Sequence, residues 1–138
     1  MGEAKRRKKL DSTYGIIPSL TSQNQKQKHV DLIIDELSSQ FAREIKDIAA
    51  AESMIDGYDN YRQQVSNWLH SKLKLYSESD RTFLASSIMT VYAEISMKYE
   101  ASPLLIKFWF EILESFLSPE KRDRIASIVQ KITREFGF

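Results

Sequence analysis

LLIKFWFEILESFL, residues 104–117, holds ten apolar residues in fourteen. On a helical wheel they cover about 240°, leaving only the sector of Lys107, Glu111, Glu114 and Ser115 to water. A surface helix needs an apolar stripe of only about 100° or somewhat more. This helix therefore carries more apolar surface than one neighbour can cover. Leu105, Trp109, Ile112 and Phe116 lie mid-stripe and read as core. Ile106, Phe110 and Leu117 lie on one flank and are the surplus. Two expectations follow. Either the helix is central and touches several others, or the flank is a dimer or partner surface, where buried aromatics tend to dominate binding energy.

The neighbouring sequence is helical in both directions. Ser102-Pro103 and Ser118-Pro119 each place an N-cap side chain before a proline at the first helical position. That proline lacks only an N–H that has no intrahelical partner there. They predict helices over 103–117 and 119–136. The second ends at Gly137 and buries Ile125, Ile128, Val129, Ile132 and Phe136. Upstream, Leu84, Ile88, Val91, Tyr92, Ile95 and Tyr99 predict a helix over 80–100, capped by Ser77 or Ser79 and flanked by a Glu94–Lys98 pair. Tyr61, Val65, Trp68, Leu69, Leu73 and Tyr76 predict one over 59–76. Val30, Ile33, Ile34, Leu37, Phe41, Ile45, Ile48 and Ile55 form a single stripe, which predicts one long helix over 28–56 stopped by Gly57.

Short connections favour antiparallel neighbours. The expected fold is all-α: a single five-helix bundle-like domain over 28–138, preceded by a flexible basic N-terminal arm and polar linker over 1–27. Four glycines and three prolines in 138 residues fit helices better than a turn-rich β fold. Within the linker, Ile16, Ile17 and Leu20 are apolar exceptions suited to anchoring it on the body, with Pro18 holding the stretch extended.

Charge is divided unequally. Residues 1–9 hold five of the 20 Lys and Arg and one of the 19 Asp and Glu, a net of +4. The remainder, 15 against 18, is −3. Lys5, Arg6, Arg7, Lys8 and Lys9 are thus a basic arm on a mildly acidic body. Such clusters bind polyanions by releasing counterions, without reading sequence. These five residues are the candidate nucleic-acid contact. No aromatic residue lies among them, so base stacking is not indicated there.

Other chemistries find little support. With no cysteine, thiolate catalysis, disulfides and Cys-based zinc sites are excluded. His29 and His70 lie outside metal-binding spacings and read as solvent-facing or locally bonded. Glycines at 2, 15, 57 and 137 are too scattered for a phosphate-cradling loop. No Gly-x-Ser-x-Gly turn occurs. Asp31/Asp35 and Glu111/Glu114 are helical neighbours that read as solvated faces. No catalytic residue, metal, cofactor or small-molecule substrate is expected. No apolar run approaches the roughly 18–20 residues of a membrane span, and no apolar segment follows the basic residues as in a secretory signal. The expected location is cytoplasmic, with no membrane partner.

The opening MGEAKRRKKLD, followed by Tyr14-Gly15, resembles the start of various small, uncharacterised bacterial proteins. The resemblance covers about fifteen residues and implies a bacterial cytosolic protein, with no activity or site attached. The functional expectation is a non-enzymatic accessory or adaptor protein. Its body docks a protein through Ile106, Phe110 and Leu117, and its arm contacts nucleic acid or a ribonucleoprotein. The alternative is a protein–protein adaptor or homo-oligomeric scaffold without a nucleic-acid role. A third is an enzyme whose site is scattered in sequence.

Overall fold

A computed structural model describes residues 18–53 and 55–137. Among them the chain forms α1 (Gln23–Gln40), α2 (Ala42–Ala50), α3 (Tyr58–Leu73), α4 (Glu78–Lys98), α5 (Leu104–Leu113), a 3-10 turn (Glu114–Phe116) and α6 (Pro119–Phe136). No strand occurs among these residues. The all-α, bundle-like expectation holds, with six α-helices in place of five.

The extra helix arises at Phe41. The stripe from Val30 to Ile55 reads as continuous, but the backbone departs from helical geometry at Phe41 (φ −118°, ψ 27°). Phe41 is buried there, with its ring edge-on to Trp68 at 5.9 Å. Packing on α3 thus outweighs continuation of the helix. At its other end α1 starts at Gln23, five residues before the predicted start. The Ser22 side chain caps it, accepting from Gln25 N–H at 3.1 Å. Gly57 does not stop this helix, since the chain is already extended at Ala51. Gly57 instead takes a left-handed conformation (φ +83°) just ahead of α3, where glycine is least strained.

Helix α5 is the centre. It packs against α2, α3, α4 and α6. Every residue from Leu104 to Leu113 except Lys107 and Glu111 is buried. Its rings interlock with their neighbours. Trp109 stacks on Tyr92 of α4 at 4.2 Å, and Phe108 meets Tyr58 of α3 edge-on at 5.8 Å. Fully burying such side chains contributes about 1.5–3 kcal/mol each.

Contacts also set the helix directions. Leu20 meets Asp80, and Lys26 lies over Phe83, so α1 and α4 run the same way. Glu36–Lys72 and His29–Tyr76 show that α3 returns antiparallel to α1. Lys121 touches Ser86 and Thr90 of α4, and Phe136 shares a cleft with Glu100, so α6 also runs along α4. The helix starts of α1, α4 and α6 therefore lie toward one pole, and the ends of α4 and α6 toward the other.

Candidate functional site

Leu20, near the start of the described residues, is tied to the body. Ser77 caps α4 and its side chain accepts from Asp80 N–H at 3.4 Å. This places the Asp80 carboxylate, which is buried, in the first turn of α4, where negative charge is favourable. Asp80 Oδ2 in turn accepts the backbone N–H of Leu20 at 2.9 Å. The Leu20 side chain packs against the core, as expected for an anchor. Its companions Ile16 and Ile17 lie outside the described residues. So do Lys5, Arg6, Arg7, Lys8 and Lys9.

Beside this point runs an open groove of about 380 Å³. Gln27 and Val30 of α1 form one wall, Phe83, Ser86, Ser87, Thr90 and Val91 of α4 the floor, and Lys121 of α6 the other side. Lys121 Nζ donates to Thr90 Oγ1 at 2.6 Å and to Ser86 O at 3.2 Å. Burial, and then the Arg124 charge, lower the Lys121 pKa. Lys26 Nζ stands 5.3 Å over the Phe83 ring. No carboxylate lines the groove among the described residues, so Lys121 is held there by neutral acceptors alone. A half-buried cation beside hydroxyl groups suits an anionic oxygen such as a phosphate's. Sequence reasoning missed this site because Thr90 and Lys121 are far apart in the chain. The available signal was the pairing of Ser86 and Thr90 on one face of α4.

A second polar cluster is a brace. Glu111, expected to face solvent, is largely covered and joins α5 to α3. It accepts from Tyr58 Oη at 2.5 Å, Arg62 Nη1 at 2.6 Å and Lys107 Nζ at 2.6 Å. Burial alone would push its carboxyl up. The bonds from Lys107, Tyr58 and Arg62 prevail and hold it below the usual range. The Tyr58 hydroxyl is pushed far above its ordinary value, first by burial and then by its bond to Glu111. All of the carboxylate's strong partners are thus internal, and the cluster's role is to fasten two helices.

Both histidines are bonded to residues far away in the chain. His29 Nδ1 and Tyr76 Oη are 2.8 Å apart, and His70 Nε2–H donates to Ile112 O at 2.7 Å. No group of three or more His, Asp or Glu is placed to hold a metal among the described residues.

The flank expected to dock a protein is inside the fold. Ile106 and Phe110 are 8% exposed and Leu117 is 5% exposed, because α5 is enclosed by four helices. The apolar surface that the molecule does present lies elsewhere. Met97 is 77% exposed and Tyr99 67%, with Ile128 and Phe136 also exposed. Tyr99, Ile128 and Phe136 belong to the predicted buried stripes; Tyr99 and Phe136 stand at helix ends, and Ile128 lies on the edge of the stripe that Ile125 and Ile132 bury. Lys98 also departs from expectation. Its Nζ lies 5.4 Å over the Tyr99 ring, and no salt bridge to Glu94 forms.

No family model, curated protein or solved structure matches this chain. None of the described helices is long and apolar enough to cross a membrane.

Proposed function

We propose that this protein is a non-enzymatic, cytoplasmic bacterial adaptor that contacts nucleic acid or a ribonucleoprotein through its basic arm. The carrying observation is the Leu20–Asp80 bond. It ties the chain leading to Lys5–Lys9 to the pole where Lys26 and Lys121 flank a groove without acids. Arm and groove then meet one polyanion together. The arm supplies most of the charge, and the groove supplies a fixed contact with a phosphate. Recognition of this kind depends on salt and is indifferent to base sequence. The exposed Met97 and Tyr99 give the body a separate surface for a protein partner.

Fluorescence anisotropy with generic duplex DNA and single-stranded RNA tests the reading. Full-length protein is expected to bind, and deletion of residues 2–9 is expected to abolish most of that binding. Equal binding by the two proteins rules out the arm's role.

The second reading, a protein–protein adaptor or homo-oligomeric scaffold without nucleic acid, draws on the exposed apolar residues at the far pole. A pull-down from native lysate with and without nuclease separates the two. Partners that survive nuclease favour the second reading, and partners lost with nuclease favour the first.

A further inference from the structure

At the pole opposite the Leu20–Asp80 bond lies a second cleft, of about 580 Å³. Ala49, Ala50 and Ala51 line it from the end of α2, Glu100 from the end of α4 and Phe136 from the end of α6, with Glu52 and Pro103 at its sides. Three helix C-termini therefore converge there. Each carries a partial negative charge of about half a unit on carbonyls lacking intrahelical partners. Some of this is answered locally, since Ala49 O accepts Ser102 N–H at 2.6 Å. One helix, α5, begins there, and its Leu104 N–H is held by Ser102 Oγ at 3.1 Å. The last turn of α2 contains no basic residue, whereas Lys98 and Arg134 stand in the last turns of α4 and α6, outside the cleft lining. Glu52 and Glu100, both exposed, add full charges, and no Lys or Arg lines the cleft among the described residues. Ser102 adds a polar group, and the remaining walls are apolar. This combination suits a long basic side chain, with its methylene stem on alanine, proline and phenylalanine and its charged head among carboxylates and carbonyls.

We infer that this cleft receives the basic arm, Lys5–Lys9, of a second copy of the chain. The charges are complementary: the arm is +4 and the rest of the chain −3. Distance favours a neighbour over the chain's own arm. Asp80, where the arm is tied, and Glu100 lie at opposite ends of α4, about 30 Å apart at 1.5 Å per residue. Lys9 and Lys5 are eleven and fifteen residues upstream of Leu20, and a flexible chain of that length has an r.m.s. span of only about 17–23 Å. Docking on the same chain would stretch the linker beyond that span, at a cost in conformational entropy. A neighbouring copy carries no such constraint. The contact joins one pole to the opposite pole, so it is heterologous and builds rings or open chains. This names the protein partner that the adaptor reading requires, and it holds whether or not the arm also meets nucleic acid.

Sedimentation velocity of the nuclease-treated full-length protein tests the inference. The average mass is expected to rise with concentration and to fall as salt is added, since exposed charges are screened over about 8–10 Å at physiological ionic strength. The double variant Glu52→Lys/Glu100→Lys should weaken association by about tenfold or more, as should reversing Lys5–Lys9 to Glu. Each variant alone opposes like charges. An equimolar mixture of the two opposes unlike charges and is expected to restore association. A wild-type monomer at millimolar concentration, or association unaffected by the cleft substitutions, overturns the inference. Circular dichroism of both variants confirms that the fold is retained. Nucleic acid is absent throughout, so the result is independent of the anisotropy experiment.

Discussion

The carboxylate of Asp80, buried in the first turn of α4, accepts the backbone N–H of Leu20 at 2.9 Å across sixty residues of chain. This bond fixes Leu20 on the body ahead of α1. Replacing Asp80 with Ala leaves the Leu20 N–H without its partner and opens space under the linker. The expected loss is about 1–3 kcal/mol in chemical denaturation. Hydrogen exchange at Leu20 should accelerate well beyond that at Leu69 or Trp109. Unchanged protection at Leu20 would contradict the assigned anchor.

Glu111 makes stability pH-dependent. Its folded pKa lies below the ordinary glutamate value, so the brace contributes fully above that ordinary value of about 4.3. The contribution is lost as pH falls through the lower folded value, where protonation breaks the bonds from Lys107, Tyr58 and Arg62. Glu111→Gln removes this dependence and costs about 1–3 kcal/mol at neutral pH. Denaturation midpoints of both proteins from neutral to acid pH check this. The two curves are expected to converge on the acid side.

Helix α5 tolerates little change. Trp109→Ala is expected to cost about 3–5 kcal/mol through a cavity among Tyr92 and Phe108. Phe110→Asp places a charge in the core and should lose helical content by circular dichroism. A folded Phe110→Asp protein with altered self-association would instead return the flank to the role of an interface.

Glu100 has a left-handed backbone (φ +53°) just beyond the end of α4, a conformation that favours glycine. Glu100→Gly relieves about 1 kcal/mol of strain, less the extra chain entropy of glycine. The net gain is up to about 0.5 kcal/mol, so the melting temperature should rise by about 2 °C or less. Self-association should weaken in the same variant, because the cleft loses a carboxylate. A stabilised variant that associates normally would remove Glu100 from the docking surface.

Much of the fold is legible in local chemistry. Ser102-Pro103 and Ser118-Pro119 mark helix starts, and Ser118 does cap α6, accepting from Lys121 N–H at 3.4 Å. Gly137 ends α6 with φ +71°, as its position implies. The wide apolar surface of α5 correctly implies several neighbours. The break at Phe41 is not legible, because the apolar period continues through it and the contact of Phe41 with Trp68 exists only in the fold. The groove and the polar cleft are hidden for a related reason. Lys121 with Thr90, and Glu52 with Glu100, become neighbours only once helix directions are fixed. Glu111 misleads in the opposite sense: an acid sharing a polar sector with Lys107 and Glu114 resembles a solvated face until Tyr58 and Arg62 are packed against it.

The salt dependence of duplex DNA binding tests the adaptor account most directly. If all five arm charges meet phosphates, deleting residues 2–9 should remove about 4–5 from the log–log slope of affinity against salt. Lys121→Gln should remove about 1 and weaken binding to all sequences alike. Equal slopes for the full-length and truncated proteins would contradict the account.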